Sequence, residues 1–318
     1  MKTLASLGEF AWLKSLLPRL YWPSTHKSQL WLGPGDDAGV LRISAGKVLV
    51  STTDAMVEGI HFDRKWAKWE DIGYKVLAIN LSDLAAMGAV KPLAALVTVS
   101  LPGDTPVDNA NKFYNGLASC AQRWKTGLLG GDTVGSKRDC FISVTVLGEA
   151  RTKDLLTRGG ARSGHYLVTT GELGSAAAGL EVLKAGKGGL NWTKSLVAAF
   201  SQPQPRFAAS KRLAKEHLAT SLIDISDGLE ASVRLLSEAS HVGAEVDVTR
   251  LPISMALSRW ARMRGRHPWD YALKGGEEYE LLFTVRPKDW ARARRRVPGL
   301  TLIGRILDRK STRLNSSH

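Results

Sequence analysis

Five short segments of this chain set carboxylates beside glycine, serine or threonine: Gly35-Asp36-Asp37, Thr52-Thr53-Asp54, Ser82-Asp83, Gly130-Gly131-Asp132-Thr133 and Asp224-Ile225-Ser226-Asp227-Gly228. Hard cations such as Mg²⁺ take oxygen ligands, keep several waters, and are held by a few carboxylates together with substrate phosphates. The pattern therefore points to a phosphate site built on several Mg²⁺ ions. It stands out because the chain as a whole is basic, with 44 Lys+Arg against 30 Asp+Glu and a net charge of +14.

Each segment also has a plain structural use. Asp37 fits the closure of a glycine-rich turn, Asp54 a cap after its strand, and Asp83 an exposed helix position. Asn80 and Asp83 lie one turn apart among apolar residues, which sets a polar pair at the edge of a buried stripe. A buried carboxylate needs a partner, and a cation is one. Gly130-Gly131-Asp132-Thr133 offers backbone amides for phosphate oxygens beside a carboxylate, but a tight turn uses the same residues. In Asp224-Ile225-Ser226-Asp227 a strand ends in acidic residues, and Ser226 or Asp227 equally suits the cap of the next helix. Gly275-Gly276-Glu277-Glu278-Tyr279-Glu280 crowds three glutamates at one strand entrance, which repel unless a cation or a donor-rich ligand is near. Neither a G-x-x-x-x-G-K-[ST] segment nor the H-R-D and D-F-G pair of protein kinases occurs.

The elements that carry these segments follow from periodicity. Lys47 to Thr52 reads as a buried strand ending at Asp54, and Asp71 to Met87 as an amphipathic helix stopped by Gly88. Ala94 to Leu101 is a strand, Asp108 to Lys125 a helix, residues 127–131 the start of a loop, and Phe141 to Leu147 a strand. A second unit begins near Ala150. It has strands at His165 to Thr170, Leu222 to Ile225, Ala244 to Val248 and Leu281 to Val285. Its helices run from Gly174 through Leu183, over Phe207 to His217, and over Leu229 to Ala239. The expected fold is α/β, in the broader α+β sense, with two α/β domains spanning 1–149 and 150–309. Residues 310–318 are polar and aperiodic, and are expected to be a disordered, non-native tail.

Composition sets bounds. At 318 residues and 44% hydrophobic content the chain suits one large or two ordinary domains. It has no apolar run long enough to span a membrane. Met1 to Leu20 reads as a first helix, without a secretory core and cleavage site, so a cytoplasmic protein is expected. Cys120 and Cys140 form no C-x-x-C pair and are expected as buried thiols. Arg259, Arg262, Arg264 and Arg266, then Arg292, Arg294, Arg295 and Arg296, fall on segments with helical spacing. They read as solvated helix faces rather than a nucleic-acid surface.

Taken in order, Gly8-Glu9-Phe10, Gly35-Asp36-Asp37-Ala38, Ser51 to Asp54 through Val57 to Phe62, and Ala78 to Gly88 resemble the thiamine-monophosphate kinases. The match continues through Gly130 to Thr133, Arg158 to Ala161, Asp224 to Leu229 and Gly275 to Leu281, so that it covers about residues 5 to 305. The resemblance implies two domains of the aminoimidazole ribonucleotide synthetase type, the first binding ATP and Mg²⁺ and dimerising through its sheet. It implies transfer of the ATP γ-phosphoryl group to thiamine monophosphate, with several Mg²⁺ ions, in a homodimer with no membrane or nucleic-acid partner. Position by position it implies Mg²⁺ ligands at Asp37, Thr52, Thr53, Asp54, Asp83, Asp132, Asp224 and Asp227, of which Asp54, Asp83 and Asp132 serve the chemistry. ATP contacts fall at Tyr114, Gly131, Asp132, Arg158 and Ser226, and thiamine-monophosphate contacts at His61 and Glu277.

Two departures accompany it. Glu278 stands where the family usually has Asp, and the sequence from about Lys310 stands where the family has an aromatic-ended segment that packs on the substrate, so weaker acceptor binding is expected. Selenide-dependent dikinases need a reactive N-terminal Cys or selenocysteine, and hydrogenase-maturation dehydratases a C-terminal Cys. This chain has neither. A non-catalytic nucleotide- or nucleic-acid-binding protein is the alternative from another class, and it leaves the ordered acidic loops unexplained.

Overall fold

A computed structural model describes residues 30–32, 39–44, 46–308 and 313–315. The helix expected over Met1 to Leu20, and Asp37, lie outside the described residues. The first half runs β1 (Leu30–Leu32), β2 (Gly39–Ser44), β3 (Lys47–Val57), α1 (Trp69–Ala86), β4 (Lys91–Pro102), α2 (Val107–Trp124), β5 (Gly127–Ser136) and β6 (Phe141–Arg151). Its sheet has the order β1-β2-β3-β6-β4-β5. All neighbours are antiparallel except β4 and β5.

Alternation along β3 decides what each side of this sheet does. Val48, Val50, Thr52 and Met56 are buried, against a core that includes Ile72 and Leu77 of α1 and Phe113 and Leu117 of α2. The two helices cross closely because glycine meets backbone. A Cβ on Gly73 would stand 1.9 Å from the Phe113 carbonyl oxygen, and one on Gly116 1.8 Å from that of Glu70. The opposite face leaves Leu96, Val134 and Phe141 about 40% exposed, at 40%, 43% and 41%.

The second half runs β7 (Tyr166–Thr170), α3 (Ser175–Lys184), α4 (Lys194–Ser201), α5 (Phe207–Lys215), β8 (Ala219–Asp224), α6 (Leu229–Ser240) and β9 (Gly243–Asp247). It continues with α7 (Met255–Met263), α8 (Pro268–Lys274), β10 (Leu281–Val285), α9 (Trp290–Arg296), β11 (Leu300–Leu307) and β12 (Arg313–Asn315). The sheet order is β12-β9-β11-β7-β10-β8. The two sheets part between Arg151 and Tyr166.

Helix α1 joins the halves. Fifteen of its 18 residues are buried, which is how a helix surrounded on all sides reads. Its Ala86 packs with Val168, Leu222 and Phe283 of the second sheet. In return, Tyr279 from the second half lies in the core of the first.

Three expectations need correction. Residues 127–136 form the edge strand β5, not a loop, because Leu128, Leu129, Thr133 and Val134 favour extended backbone. Gly131 there gives room to its neighbour, since a Cβ would lie 1.7 Å from the Val97 carbonyl oxygen. Helix α4, over Lys194–Ser201, was not among the expected helices. In the tail expected to be disordered, Arg313–Asn315 pairs in parallel with β9, through Glu245, Val246 and Asp247, whose edge offered free backbone groups. Among the described residues, no helix is long and apolar enough to cross a membrane.

Candidate active site

The site builds up where α1 meets the second sheet. Thr52 and Asp54 share the helix-facing side of β3, and the Thr52 hydroxyl donates to Asp83 Oδ2 at 2.6 Å. One residue earlier on α1, the buried Ser82 hydroxyl donates to Asp224 Oδ2, also at 2.6 Å. Adjacent residues of one helix thus hold a carboxylate in each half. Asp83 is neither an idle surface residue nor Asn80's partner: Asn80 is fully buried and donates to Val76 O at 2.8 Å.

Asp224 ends β8, and the chain turns through Ser226 and Asp227 into α6. Neither side chain caps that helix: the N-cap is Gly228, with no side-chain hydrogen bond. The Ser226 hydroxyl lies 3.5 Å from Asp227 Oδ2, and Asp227 acts on Asp54 and Asp224. The Arg158 loop is tied to the end of α6, where Ser240 Oγ donates to Arg158 O at 3.0 Å and accepts from Ala161 N at 3.1 Å. This brings the Arg158 guanidinium near Asp224.

The electrostatics show a cluster short of positive charge. Burial pushes Asp224 up to about 6, helped by Asp227 and Asp54, although Ser82 and Arg158 pull it down. Asp54 opens to solvent, yet the protein packed around it raises its carboxyl above the ordinary value. The Ala55 amide at 2.7 Å and nearby His61 act the other way, and Asp227 and Glu277 reinforce the rise. Glu277, Asp54, Asp224 and Asp83 all press on the buried Tyr279 hydroxyl, whose proton is held well above the usual range, mainly by burial. His61 enters from the turn after β3, where its Nδ1 accepts from Val57 N at 3.1 Å.

The three crowded glutamates find separate partners within the protein. The segment is zipped to the turn after β8 by Glu277 N to Ser226 O at 2.6 Å and Tyr279 N to Ile225 O at 2.9 Å. Glu277 and Tyr279 take positive φ, 66° and 54°. A non-glycine residue is held there only when its surroundings over-determine it. Glu277 faces the site and pairs with Lys75 Nζ at 2.8 Å. Glu278, the departure from Asp, reaches away and accepts from Ala176 N at 2.9 Å at the start of α3. Glu280 accepts from Thr170 Oγ1 at 2.5 Å and from Arg206 Nε at 2.7 Å.

The remaining expected residues lie elsewhere. Thr53 points to the opposite face of β3, where its hydroxyl donates to Val144 O at 3.1 Å and accepts from Thr145 Oγ1 at 3.0 Å. Asp132 pairs with Thr98 on β4, while Asp54 pairs with Val144 on β6. Asp132 is thus three strands from β3, about 14 Å at ordinary strand spacing, and it faces the open side of the sheet. Gly131 and Tyr114 share this edge, where the Tyr114 hydroxyl lies 3.4 Å from Thr133 Oγ1. Thr53 apart, the described expected residues form two groups, one at the seam and one at the edge strand.

Among the described residues, no three His, Cys, Asp or Glu side chains form a ready-made ion cage. Mg²⁺ does not require one, since it keeps waters and shares substrate phosphates. Oxygen donors gathered from Thr52, Asp54, Asp83, Asp224 and Asp227, two of their carboxyls held above ordinary values, fit a hard divalent cation. Sequence reasoning gave no role to Ser82 and Lys75. The signal was there: two polar residues seven apart, on one face of a helix buried over most of its length.

The described surface also answers the basic-helix question in part. On α7 and beyond, Arg264 and Arg266 pair with Glu181, and on α9 Arg292 pairs with Asp289 and Arg296 with Glu216. Cys120 and Cys140 are buried free thiols.

Comparison with known proteins agrees with this architecture. Residues 35–150 match the AIR synthase related protein, N-terminal domain, and 162–316 the corresponding C-terminal domain. The chain is 34% identical over 289 residues to thiamine-monophosphate kinase of Bacillus subtilis (strain 168), covering 89% of this chain and 85% of that protein. It is 35% identical over 309 residues to thiamine-monophosphate kinase of Mycobacterium tuberculosis (strain ATCC 25618 / H37Rv), covering 96% and 87%. The structure of AaThiL complexed with AMPPCP and TMP superposes with a TM-score of 0.87 at 32% identity, covering 99% of this chain and 95% of that one. With both domains matched and relatives above 30% identity over nearly its whole length, this chain belongs to the thiamine-monophosphate kinase family, on the two-domain AIR synthase related fold.

Proposed function

We propose that this protein transfers the γ-phosphoryl group of ATP to thiamine monophosphate, giving thiamine diphosphate and ADP. The observation that carries the reading is the convergence of Asp54, Asp83, Asp224 and Glu277 around Tyr279 at the seam, with Asp227 close to Asp54 and Asp224. The relative crystallised with AMPPCP and TMP supports the pair of substrates.

The acceptor atom is a phosphate oxygen, already anionic near neutral pH, so no strong general base is required. The difficulty is to bring two polyanions together. Mg²⁺ bound by Thr52, Asp54, Asp83, Asp224 and Asp227 would neutralise charge and align the phosphates. The chain's task is to hold those oxygens in place. Thr52 fixes Asp83 and Ser82 fixes Asp224, so the two halves present their carboxylates in a set relation. Arg158 and Ser226 address the ATP phosphates, and His61 and Glu277 the acceptor. Transfer is in line: the bond from the γ-phosphorus to the β,γ-bridging oxygen breaks as one to the acceptor oxygen forms.

We assign a homodimer that covers the open face of the first sheet. Leu96, Val134 and Phe141 there form an apolar surface that a monomer leaves in water. Asp132 lies on that same face, so we place it in a site completed by the partner rather than in the seam of its own chain. Gly131 and Tyr114 contact the nucleotide at the edge strand. The two unpaired thiols suit a reducing compartment, and we assign the protein to the cytoplasm.

Product analysis tests the reading. Incubation with MgATP and thiamine monophosphate is expected to yield thiamine diphosphate and ADP in equal amounts, abolished by EDTA. ADP without thiamine diphosphate would contradict it.

A further inference from the structure

Lys75 is a buried cation that the reaction scheme leaves without a task. It lies in the middle of α1 with 2% of its surface exposed. Its ammonium sits 3.3 Å from the centre of the Phe200 ring, on α4, and 2.8 Å from Glu277 Oε1. The contact with Glu277 is an ion pair whose alignment falls outside that of a hydrogen bond. Burial lowers the affinity of this amine for its proton, and Glu277 opposes that effect.

Such a pair is an expensive way to hold a fold together. Desolvating two charges costs several kcal/mol in general, and apolar replacements of similar volume are often as stable or more so. A methionine or leucine at position 75 would serve packing alone. The location suggests another purpose. Lys75 and Ser82 lie two turns apart on one face of α1. The first grips Glu277 and the second Asp224, and these carboxylates sit on segments zipped together through Ser226 and Ile225. Phe200 also meets the Trp66 ring, with centroids 5.9 Å apart, just beyond the turn that carries His61. Glu277, assigned to the acceptor, thus backs onto an ammonium that is seated on this aromatic pair.

We propose that Lys75, seated on Phe200, is a positioning residue that fixes Glu277 in its left-handed backbone conformation and so sets the affinity for the organic end of the phosphoryl acceptor. The proposal rests on the reading of Glu277 as an acceptor contact. Lys75 itself does not reach the reacting phosphates. Its removal acts through Glu277, whose carboxylate is part-exposed and turns to water once the ammonium is gone.

The test is a kinetic cycle over wild type, Lys75→Met, Glu277→Gln and the double variant, with rates measured against thiamine monophosphate and, separately, against ATP. Lys75→Met is expected to raise the KM for thiamine monophosphate about tenfold while the KM for ATP moves less than about twofold. In the Glu277→Gln background the same change is expected to add almost nothing, because both act through one carboxylate. A merely structural lysine would disturb both substrates, and its effect would multiply with that of Glu277→Gln. Glu277→Gln with raised acceptor KM beside Lys75→Met at the wild-type value would overturn the positioning role alone. Glu277→Gln with unchanged acceptor KM would overturn the acceptor-contact reading and the proposal with it. Should Lys75→Met fail to fold, Phe200→Leu is expected to raise the acceptor KM about threefold, and an unchanged value there would overturn the proposal.

Discussion

The Ser82 hydroxyl donates to Asp224 Oδ2 at 2.6 Å across the junction of the two domains, with both groups buried. A buried carboxylate that loses its donor costs about 1–3 kcal/mol. Ser82→Ala is therefore expected to lower unfolding stability by that amount in urea titration, without a change in slope. An unchanged midpoint would mean that this bond does not hold the halves in register.

Asp54 behaves oppositely. Its carboxyl is held above the ordinary value by the protein around it and by Asp227 and Glu277, so its ionised form is a burden on the fold. Asp54→Asn is expected to leave stability equal or slightly higher at neutral pH. The turnover number should fall by a hundredfold or more, on the order of the loss of one preorganised electrostatic group. A folded Asp54→Asn protein with normal turnover would remove this residue from the site.

The opposed positions of Asp54 and Asp132 make subunit exchange informative. If Asp132 serves the partner's site, a mixed dimer of Asp54→Asn and Asp132→Asn chains contains one site with both residues intact. Random mixing gives half mixed dimers, so co-refolded variants should recover about a quarter of wild-type activity. Activity no greater than the two parents combined would place both residues in one chain's site.

Glu278 gives a pH signature remote from the reaction. Burial pushes its carboxyl up to about 8, against the pull of the Ala176, Gly174 and Ala177 amides and with a push from Glu280. The folded protein then keeps a proton that the unfolded chain releases near 4.5. Stability from this group is complete at low pH and falls as pH rises from about 4.5 to about 8, since the unfolded state binds fewer protons there. Measured against Glu278→Gln, the wild type should lose about 2–4 kcal/mol between pH 5 and pH 8. Parallel stability curves for the two proteins would show that the carboxyl is ionised in the fold.

Much of this arrangement was legible from residue order. The apolar run into Asp54 and the long stripe of α1 carry strong periodicity, and the acidic loops advertise oxygen chemistry. Other parts depend on facts that a sequence does not print. Gly130 and Gly131 suggest a turn, and the sequence does not print that β4 passes so close to Gly131 that a Cβ there would meet the Val97 carbonyl oxygen. The face taken by Thr53 and Asp132 follows from register, where one step reverses every side chain. Lys75 looked like an ordinary helix lysine, because its partners Phe200 and Glu277 are more than a hundred residues away. The three glutamates of the Gly275 segment were expected to need an external cation or ligand, yet the fold gives each a donor or cation of its own.

The most direct measurement is ADP release from MgATP by the wild-type protein, with thiamine monophosphate, thiamine or aminoimidazole riboside phosphate as acceptor. Thiamine monophosphate alone should drive sustained ADP release, matched by thiamine diphosphate. Equal ADP release with all three, or none with thiamine monophosphate, would contradict a seam of carboxylates built to join these two polyanions.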